Sequence, residues 1–406
     1  DDDDAPRGSD GHGDIRFREG HCMAPHPFAS DVHRHALADR VQELGLLSRT
    51  GCWASMYGLW LLLDDPDDGQ VRTFYLGDPM SVLNVALIGS DGFARRLGKK
   101  GDSRDIDSYV HKESRGENIR IISILRPLKF PDSIRPLLSV LDVARAGLLE
   151  ISELDASIGE AMVALGCAGI SRGKAIVSPK EGSWIDHDQV RVMLDQAGLS
   201  GWGILDGEFD EHELRSYLFQ IHDDLRDSGG SSSSLILPVD QHFNVKGVGL
   251  VAIGYVQSGR VSKHDEVVIL PADDIGVVRS LQVMDEDVNE AVEGDRVGVA
   301  LRNLREQSLH RGCMICIPGQ GSLVSEEVSN FVLKPAPFQR KALTEGEIVH
   351  ASSDLQFSVG RVSSVEGDSV SIAWDSPFWV RADGSSRITI VQLDAVPMRI
   401  IGTVAQ

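Results

Sequence analysis

The first feature of this sequence that could do chemistry is a glycine-containing turn, which directly follows an apolar run of strand length. Val82–Ile88 is followed by four turn residues and then by a helical pattern. The turn residues are Gly89, Ser90, Asp91 and Gly92. In a working phosphate site, backbone amides surround the phosphates, a lysine contacts their oxygens and a hydroxyl holds Mg²⁺. That lysine and hydroxyl are missing, and Lys99 and Lys100 come a full helix too late, so we predict no nucleotide and no Mg²⁺ here.

Two cysteines and a group of histidines have residue types that can bind metals. Cys313-x-x-Cys316 has a spacing found in zinc and redox sites, but no second pair exists and both residues lie in an apolar β-type run. We interpret them as buried structural cysteines. Histidines 12, 21, 26, 33 and 35 lie in the polar amino-terminal segment. Their spacing fits no standard zinc ligand set, so no metal is predicted.

The charge balance restricts the range of partners. The formal net charge of 406 residues is −21, which argues against general affinity for phosphate backbones; DNA is therefore not expected, although a local patch could bind RNA. The acidity fits either a high-salt cytoplasm or a mildly acidic mesophilic protein. Five irregularly spaced cysteines indicate a reducing compartment, and no run reaches the roughly 18 apolar residues that span a bilayer. We expect a cytoplasmic protein with no membrane partner.

The elements that would position the glycine turn are strands alternating with helices. The strand-length runs are Val82–Ile88, Ile119–Ile124, Gly147–Ile151, Lys174–Ser178 and Trp202–Asp206. The helical patterns between and after them are Ser133–Arg145, Ile158–Cys167, Asp188–Gln196 and Glu211–Arg226. Buried strands alternating with helices predict a parallel sheet covered on both faces.

The pattern changes after residue 226. Residues 227–234 have the composition of a flexible linker. Short β-type runs with glycine turns follow, and we expect them to form closed barrels. These runs are Gly249–Val256, Glu266–Leu270, Val277–Val283, Arg296–Leu301, Cys313–Ile317, Gly360–Ser364, Ser369–Trp374 and Ile388–Gln392. The predicted fold class is α/β plus β: an α/β domain at 80–226, then barrels at 235–320 and 321–406.

Residues 1–79 differ from the rest of the chain. They begin with four aspartates and contain a single short helical pattern, Ala36–Leu47. We interpret this segment as a poorly ordered or misassigned extension and suspect that the functional chain begins at Met80. The apolar run Cys52–Leu63 is read as a buried helix or as chance. The rival interpretation makes Ala36–Leu63 a helical hairpin packed on the α/β domain.

The segment after the linker carries a resemblance to a known family. Leu237–Gly249 reads LPVDQHFNVKGVG, and GYVQSGRVSKHDEVVILP and EGDRVGVALRNL follow. These stretches resemble the second domain of elongation factor Tu and of its selenocysteine-specific relative. The resemblance covers roughly residues 80–406 and is most specific across 237–319. It implies a translational GTPase layout whose α/β domain is a degenerate P-loop-type domain.

The resemblance also shows which nucleotide motifs are missing. The Asp-x-x-Gly element should follow the second strand, but residues 125–129 read LRPLK and keep only the proline. The guanine-recognising Asn-Lys-x-Asp should follow Lys174–Val177, but residues 178–182 read SPKEG and keep only the lysine. Since all three motifs are lost, we expect neither GTP nor Mg²⁺ as cofactor and no catalytic residue.

In this family the second domain binds the aminoacylated 3′ end of tRNA. Carried over position by position, that pocket falls on Asp240, Gln241, Phe243, Met284 and Arg296. Phe243 matches the family, whereas Met284 replaces a stacking histidine. The alternative is that Phe243 belongs to the barrel core and Asp240 closes a turn.

Three functions remain open at this point. The chain could be an elongation-factor-like protein that binds aminoacyl-tRNA or the ribosome without GTP turnover. It could instead be a regulatory or scaffold protein whose barrels bind another protein, which the acidity favours. An active GTPase with unusual motifs is the third, and the motif losses argue against it.

Overall fold

The computed structural model describes residues 50–55, 58–64, 71–75, 81–115, 118–228 and 234–405. The chain divides into two compact units, of which the first holds the described strands that precede residue 79 and the second begins at Pro79. The first unit contains a three-stranded antiparallel sheet made of β1 (Thr50–Ser55), β2 (Gly58–Asp64) and β3 (Val71–Tyr75). The helix expected over Cys52–Leu63 is therefore wrong. Trp53 of β1 pairs with Trp60 of β2, and aromatic residues favour strands over helices.

The second unit begins with a seven-stranded mixed sheet. Its order is β10-β9-β8-β4-β7-β6-β5. The strands are β4 (Ser81–Ile88), β5 (Lys99–Ser103), β6 (Ile106–Arg115), β7 (Asn118–Pro127), β8 (Ala146–Ile151), β9 (Gly173–Val177) and β10 (Gly203–Asp206). The five predicted strands are confirmed as its parallel part. The sheet also has a part that the sequence did not predict, in which β5 pairs with β6 in antiparallel fashion.

Helices cover both faces of this sheet. They are α1 (Asp91–Leu97), α2 (Arg135–Val143), α3 (Ala156–Cys167), α4 (His187–Gln196) and α5 (Glu211–Ser228). Apolar side chains of α1 and α5 share one core cluster with Val85 and Leu87. The side chains of α2, α3 and α4 form the core of the other face. Helix α5 extends to Ser228, so the first two residues of the predicted linker are helical rather than flexible.

The first barrel is a closed sheet of six strands. Its order is β14-β19-β11-β12-β18-β15, and pairing between β14 and β15 closes it. The strands are β11 (Leu237–Val245), β12 (Gly249–Tyr255), β14 (Glu266–Leu270), β15 (Asp274–Val283), β18 (Arg296–Arg302) and β19 (Met314–Cys316). Three short strands lie beside it: β13 (Arg260–Ser262), β16 (Glu286–Val288) and β17 (Glu290–Val292).

The second barrel is also closed and has six strands. They are β20 (Leu323–Pro335), β21 (Ile348–Ser353), β22 (Gln356–Glu366), β23 (Ser369–Arg381), β24 (Ile388–Val391) and β25 (Ile400–Ala405). Its residues Leu355, Val391 and Ile400 belong to the same core cluster as α2–α4. Val82 and Ile121 of the mixed sheet belong in turn to the core of the first barrel. The α/β domain and both barrels thus share continuous apolar cores.

No helix of the described residues is long and apolar enough to cross a bilayer.

Candidate functional site

The turn between β4 and α1 is bonded to the protein's own side chains. Ser90 is the N-cap of α1, and its hydroxyl accepts a hydrogen bond from the amide of Phe93 at 3.1 Å. The amide of Ser90 donates to Glu150 Oε2 at 2.6 Å. A Cβ added to Gly89 would lie 2.9 Å from the Cβ of Glu150. A carboxylate from β8 therefore accepts a hydrogen bond from a backbone amide of the turn. In the family motif, such an amide would donate to a phosphate.

Two carboxylates and two cations form a network beside this turn. Asp107 on β6 is buried and accepts hydrogen bonds from Lys100 Nζ at 2.9 Å and from Arg126 Nη2 at 2.8 Å. Asp91, the first residue of α1, accepts one from Lys100 Nζ at 3.2 Å and one from the hydroxyl of Tyr109 at 2.6 Å. Lys100 therefore joins both carboxylates. The network ties α1 to strands β5, β6 and β7.

The network keeps both carboxylates charged. Burial by itself would raise the pKa of Asp107, but hydrogen bonds from Ser103, Lys100 and other donors outweigh it and lower that pKa to about 2. The pKa of Asp91 is also held well below its usual range, mainly by the hydrogen bond from Tyr109. Fixed negative charge therefore stands beside the glycine turn at neutral pH.

The segments that replace the other two nucleotide motifs have local roles. Arg126, between the buried Leu125 and Pro127, belongs to the network just described. After β9, the ammonium of Lys180 pairs with the exposed carboxylate of Glu153. Trp184 follows in the same segment and is 80% exposed. In the described structure, the one retained lysine of the guanine motif is directed to a carboxylate on the neighbouring segment.

Three of the five predicted residues of the tRNA-end pocket lie together. Asp240 lies at a bulge of β11 beside Gln241, and Arg296 begins β18. Gln241 Nε2 donates to Asp102 Oδ2 at 3.0 Å, and Arg296 Nη2 lies 3.3 Å from the same oxygen. Burial raises the pKa of Asp240 even though an arginine is close. These three residues thus form a polar patch that Asp102 of the α/β domain contacts.

The other two predicted residues, Phe243 and Met284, have different surroundings. Phe243 is 37% exposed on β11, so the alternative that places it in the barrel core is wrong. Met284 lies in the turn between β15 and β16 with a φ of 49°, and its carbonyl accepts a hydrogen bond from Lys112 Nζ at 3.2 Å. Its side chain packs against the core of the first barrel. Asp240 does not close a turn, because it occupies a bulge within a strand.

Sequence reasoning missed the residues that contact the patch from the other side. Arg311, before β19, lies 2.5 Å from Asp105 Oδ2 and 3.3 Å from Asp240 Oδ1. Asp102, near the end of β5, and Asp105, in the turn after it, belong to the tip of the β5–β6 hairpin, residues 102–105 (the Asp102–Asp105 turn). They lie roughly 140 and 200 positions from Gln241 and Arg311. The closely spaced aspartates 102, 105 and 107 in a short polar segment were the only signal available.

The paired cysteines are buried, as predicted. Cys313 and Cys316 are at most 3% exposed. Cys313 belongs to the core of the first barrel, and Cys316 belongs to a smaller apolar cluster that also contains Leu323 of the second barrel. Burial raises the pKa of the Cys313 thiol to about 11 and that of Cys316 to about 12. Both thiols therefore stay protonated at neutral pH and are poor nucleophiles.

Comparisons with known proteins agree with this architecture. Residues 249–316 match the family model for elongation factor Tu domain 2. The uncharacterized protein MJ0325 of Methanocaldococcus jannaschii is 33% identical over 269 residues, covering 66% of this chain and 82% of that protein. The selenocysteine-specific elongation factor of the same organism is 28% identical over 209 residues. That match covers 47% of this chain and 45% of the length of that factor.

A solved structure extends the likeness to the whole fold. The translation elongation factor SelB of Methanococcus maripaludis, in complex with the GTP analogue GppNHp, superposes with a TM-score of 0.66. It covers 81% of this chain and 80% of that one, at 18% sequence identity. At this identity the match establishes the shared arrangement of one α/β domain and two barrels.

Proposed function

Since this chain belongs to the translational GTPase superfamily of elongation factor Tu and the selenocysteine-specific elongation factors, we propose that it is an elongation-factor-like protein that binds aminoacyl-tRNA or the ribosome without hydrolysing GTP. The α/β domain then serves as a scaffold for the barrels. Its place of action is the cytoplasm.

The main support for the proposal that GTP is not used comes from the carboxylates around the glycine turn. Glu150 accepts the Ser90 amide, and Asp91 and Asp107 lie on the cations that could otherwise meet a phosphate. A nucleotide phosphate here would compete with carboxylates that already hold the Ser90 amide and Lys100, and it would lie close to their like charge. The residues present therefore do not fit GTP with Mg²⁺.

Nucleotide titration tests this part of the proposal. We expect the purified full chain to bind mant-GTP and mant-GDP more weakly than about 1 mM, which corresponds to roughly −4 kcal/mol. SelB of Methanococcus maripaludis, which is known in complex with the GTP analogue GppNHp, is titrated with the same labelled nucleotides as the positive control. Micromolar binding by this chain, with or without Mg²⁺, would contradict the proposal and favour an active GTPase with unusual motifs.

The first barrel supports the RNA part of the proposal. Phe243 offers an exposed aromatic ring, and Arg296 provides a guanidinium two strands away, since β12 pairs with both β11 and β18. Exposed aromatic rings stack on unpaired bases, typically for about 1–3 kcal/mol each. We expect Phe243→Ala to weaken aminoacyl-tRNA binding about tenfold or more in a filter assay. Ile275→Ala removes an apolar side chain of the same barrel that is more exposed than Phe243, and it should leave binding unchanged.

A second candidate function has one specific observation in its favour. Val324, Val328 and Val332 on β20 are each about half exposed, and they recur along one strand of the second barrel. Exposed apolar side chains in a row are typical of protein-binding surfaces. If the protein is a scaffold, a protein partner should remain bound to it after RNase treatment. Val328→Asp and Val332→Asp should abolish that binding. If no such partner is found and the two substitutions leave aminoacyl-tRNA binding intact, the RNA-binding function is favoured.

A further inference from the structure

We propose that the Asp102–Asp105 turn is an autoinhibitory cover over an anion-binding groove of the first barrel, and that an anionic ligand binds by displacing it. The groove is defined by Gln241, Tyr255, Arg296 and Arg311. The proposal rests on the proposed function only for the source of the anion, an RNA 3′ strand. The cover itself is argued from the contacts within this chain.

The turn places its carboxylates on the guanidinium groups of the groove. Asp102 Oδ2 lies 3.3 Å from Arg296 Nη2 and accepts a hydrogen bond from Gln241 Nε2 at 3.0 Å. Asp105 Oδ2 accepts one from Arg311 Nη1 at 2.5 Å. Carboxylates and phosphates present similar oxygens to guanidinium groups. The two aspartates therefore occupy positions that suit the oxygens of an anionic ligand.

The charges of the groove indicate what would bind once the turn has moved. Arg296 and Arg311 then face a single carboxylate, Asp240, so one positive charge is left without an opposing group in the groove. Arg311 Nε is buried and has no hydrogen-bond partner in the described structure, and Nη2 lies 3.3 Å from Asp240 Oδ1 without forming a hydrogen bond. Tyr255 forms a buried wall below Arg296, whose guanidinium carbon lies 6.0 Å from the ring centre. Unused donors and a surplus positive charge favour an anion.

The space left with the turn in place excludes any larger ligand. The cavity lined by Asp102, Asp105, Gln241 and Arg296 has a volume of about 10 Å³, which is enough for one water molecule. A phosphate or a carboxylate therefore cannot enter beside the two aspartates. Binding requires that the turn moves.

The turn lies at the end of an edge hairpin that has few apolar anchors, while Lys100 and Asp107 hold the base of the hairpin to α1 and β7. β5 is the last strand of the mixed sheet, and a bulge interrupts its pairing with β6. Four of its five residues are exposed, so little apolar surface anchors it. The side chains of Asp102 and Asp105 are 41% and 32% exposed, and ion pairs of that exposure contribute little. Solvent and salt thus compete with the closed form.

Neutralising the cover should open it without removing its hydrogen-bond acceptors. In Asp102→Asn/Asp105→Asn, we expect faster hydrogen–deuterium exchange at the amides of residues 102–106. We also expect tighter binding of inorganic phosphate and of a single-stranded RNA ending in CCA. If the closed form is about 90% populated, full opening tightens the apparent Kd about tenfold. Adding Arg296→Gln should cancel the gain in affinity.

The matched control removes the same two charges elsewhere. Glu366 and Asp368 are exposed in the turn between β22 and β23, so Glu366→Gln/Asp368→Asn should change neither exchange at 102–106 nor affinity. Unchanged exchange and affinity in the Asp102/Asp105 variant, or equal gains in the control, would overturn the cover. A gain for phosphate without any RNA binding supports the cover and contradicts the proposed RNA function. A gain for both supports both.

Discussion

Glu160 on α3 and Arg399 before β25 form a buried ion pair between the α/β domain and the second barrel. Glu160 Oε1 accepts hydrogen bonds from Arg399 Nε at 3.0 Å and from the Arg399 amide at 2.8 Å, while Oε2 lies 2.5 Å from Nη2. The two side chains are only 3% and 12% exposed. A charged pair with so little solvent contact depends on both partners, because each would be costly alone.

We predict that Glu160→Gln destabilises the protein by about 3 kcal/mol, because it leaves the Arg399 guanidinium buried without a countercharge. Thermal unfolding followed by calorimetry measures the effect. The exposed pair between Glu153 and Lys180 provides the control, and Glu153→Gln should cost under about 1 kcal/mol. A Glu160→Gln protein as stable as the wild type would show that the pair contributes nothing to the docking of the two domains.

The parallel strands could be predicted from sequence because burial on both faces leaves a continuous apolar run. Val85 and Leu87 point to one face and Ala86 and Ile88 to the other, and all four are buried. Their helices follow from apolar residues recurring at three- and four-residue steps. These signals are local, so a single sequence contains them.

The β5–β6 hairpin could not be predicted in the same way. Lys99–Ser103 reads KKGDS, which has neither apolar alternation nor strand propensity, because this edge strand faces solvent. Its strand geometry comes from pairing with β6 and from the network around Asp107. The contacts of Asp102 in the groove could not be predicted either, because its partner Arg296 lies 194 positions away in the sequence. Contacts of that kind exist only once the domains have packed.

We predict that Asp295→Asn stabilises the protein at high pH and has no effect below about pH 4. Asp295 is only 1% exposed, and burial raises its pKa to about 8, although its Oδ2 accepts a hydrogen bond from the Val292 amide. Between about pH 4 and 8 the folded protein holds a proton that the unfolded chain has released. Stability therefore falls as the pH rises through this window, on the order of 1.4 kcal/mol per pH unit.

Urea unfolding of wild type and Asp295→Asn at pH 4, 6 and 8 measures this difference. Asparagine keeps an oxygen for the Val292 amide and carries no ionisable proton, so its advantage should grow with pH. The exposed Asp368→Asn gives the reference for a carboxylate that folding does not bury. Parallel stability curves for wild type and Asp295→Asn would contradict the prediction.

We predict that a protein starting at Met80 keeps its melting temperature within about 2 °C, because truncation outside a buried core costs little stability. The residues before it fall in a separate unit, and each described core cluster consists of residues from Val82 onward. Calorimetry of the full chain and of the shortened chain tests this. A loss of several degrees, or an insoluble product, would show that the amino-terminal segment belongs to the fold of the body.

Trp202 packs across two neighbouring strands of the mixed sheet. Its indole lies on Gly147 of β8 and Gly173 of β9, and Nε1 donates to the Ile170 carbonyl at 2.9 Å. A Cβ at position 147 would lie 2.6 Å from Cη2 of the indole and 2.7 Å from Cζ2. The glycine is therefore required by the six-membered ring of this tryptophan.

Gly147→Ala should cost about 1–3 kcal/mol by overpacking a fully buried site. In a Trp202→Phe background the clashing ring atoms are absent, so the same change should cost less, with a coupling of about 1 kcal/mol between the two positions. Gly159 in α3 has no atom within 4 Å of an added Cβ, and Gly159→Ala should be neutral or stabilising and additive with Trp202→Phe. Calorimetry of the four proteins of each cycle measures the coupling. Additive effects at positions 147 and 202 would show that the glycine is not there to accommodate the indole, since a clash between two side chains must disappear when either one is made smaller.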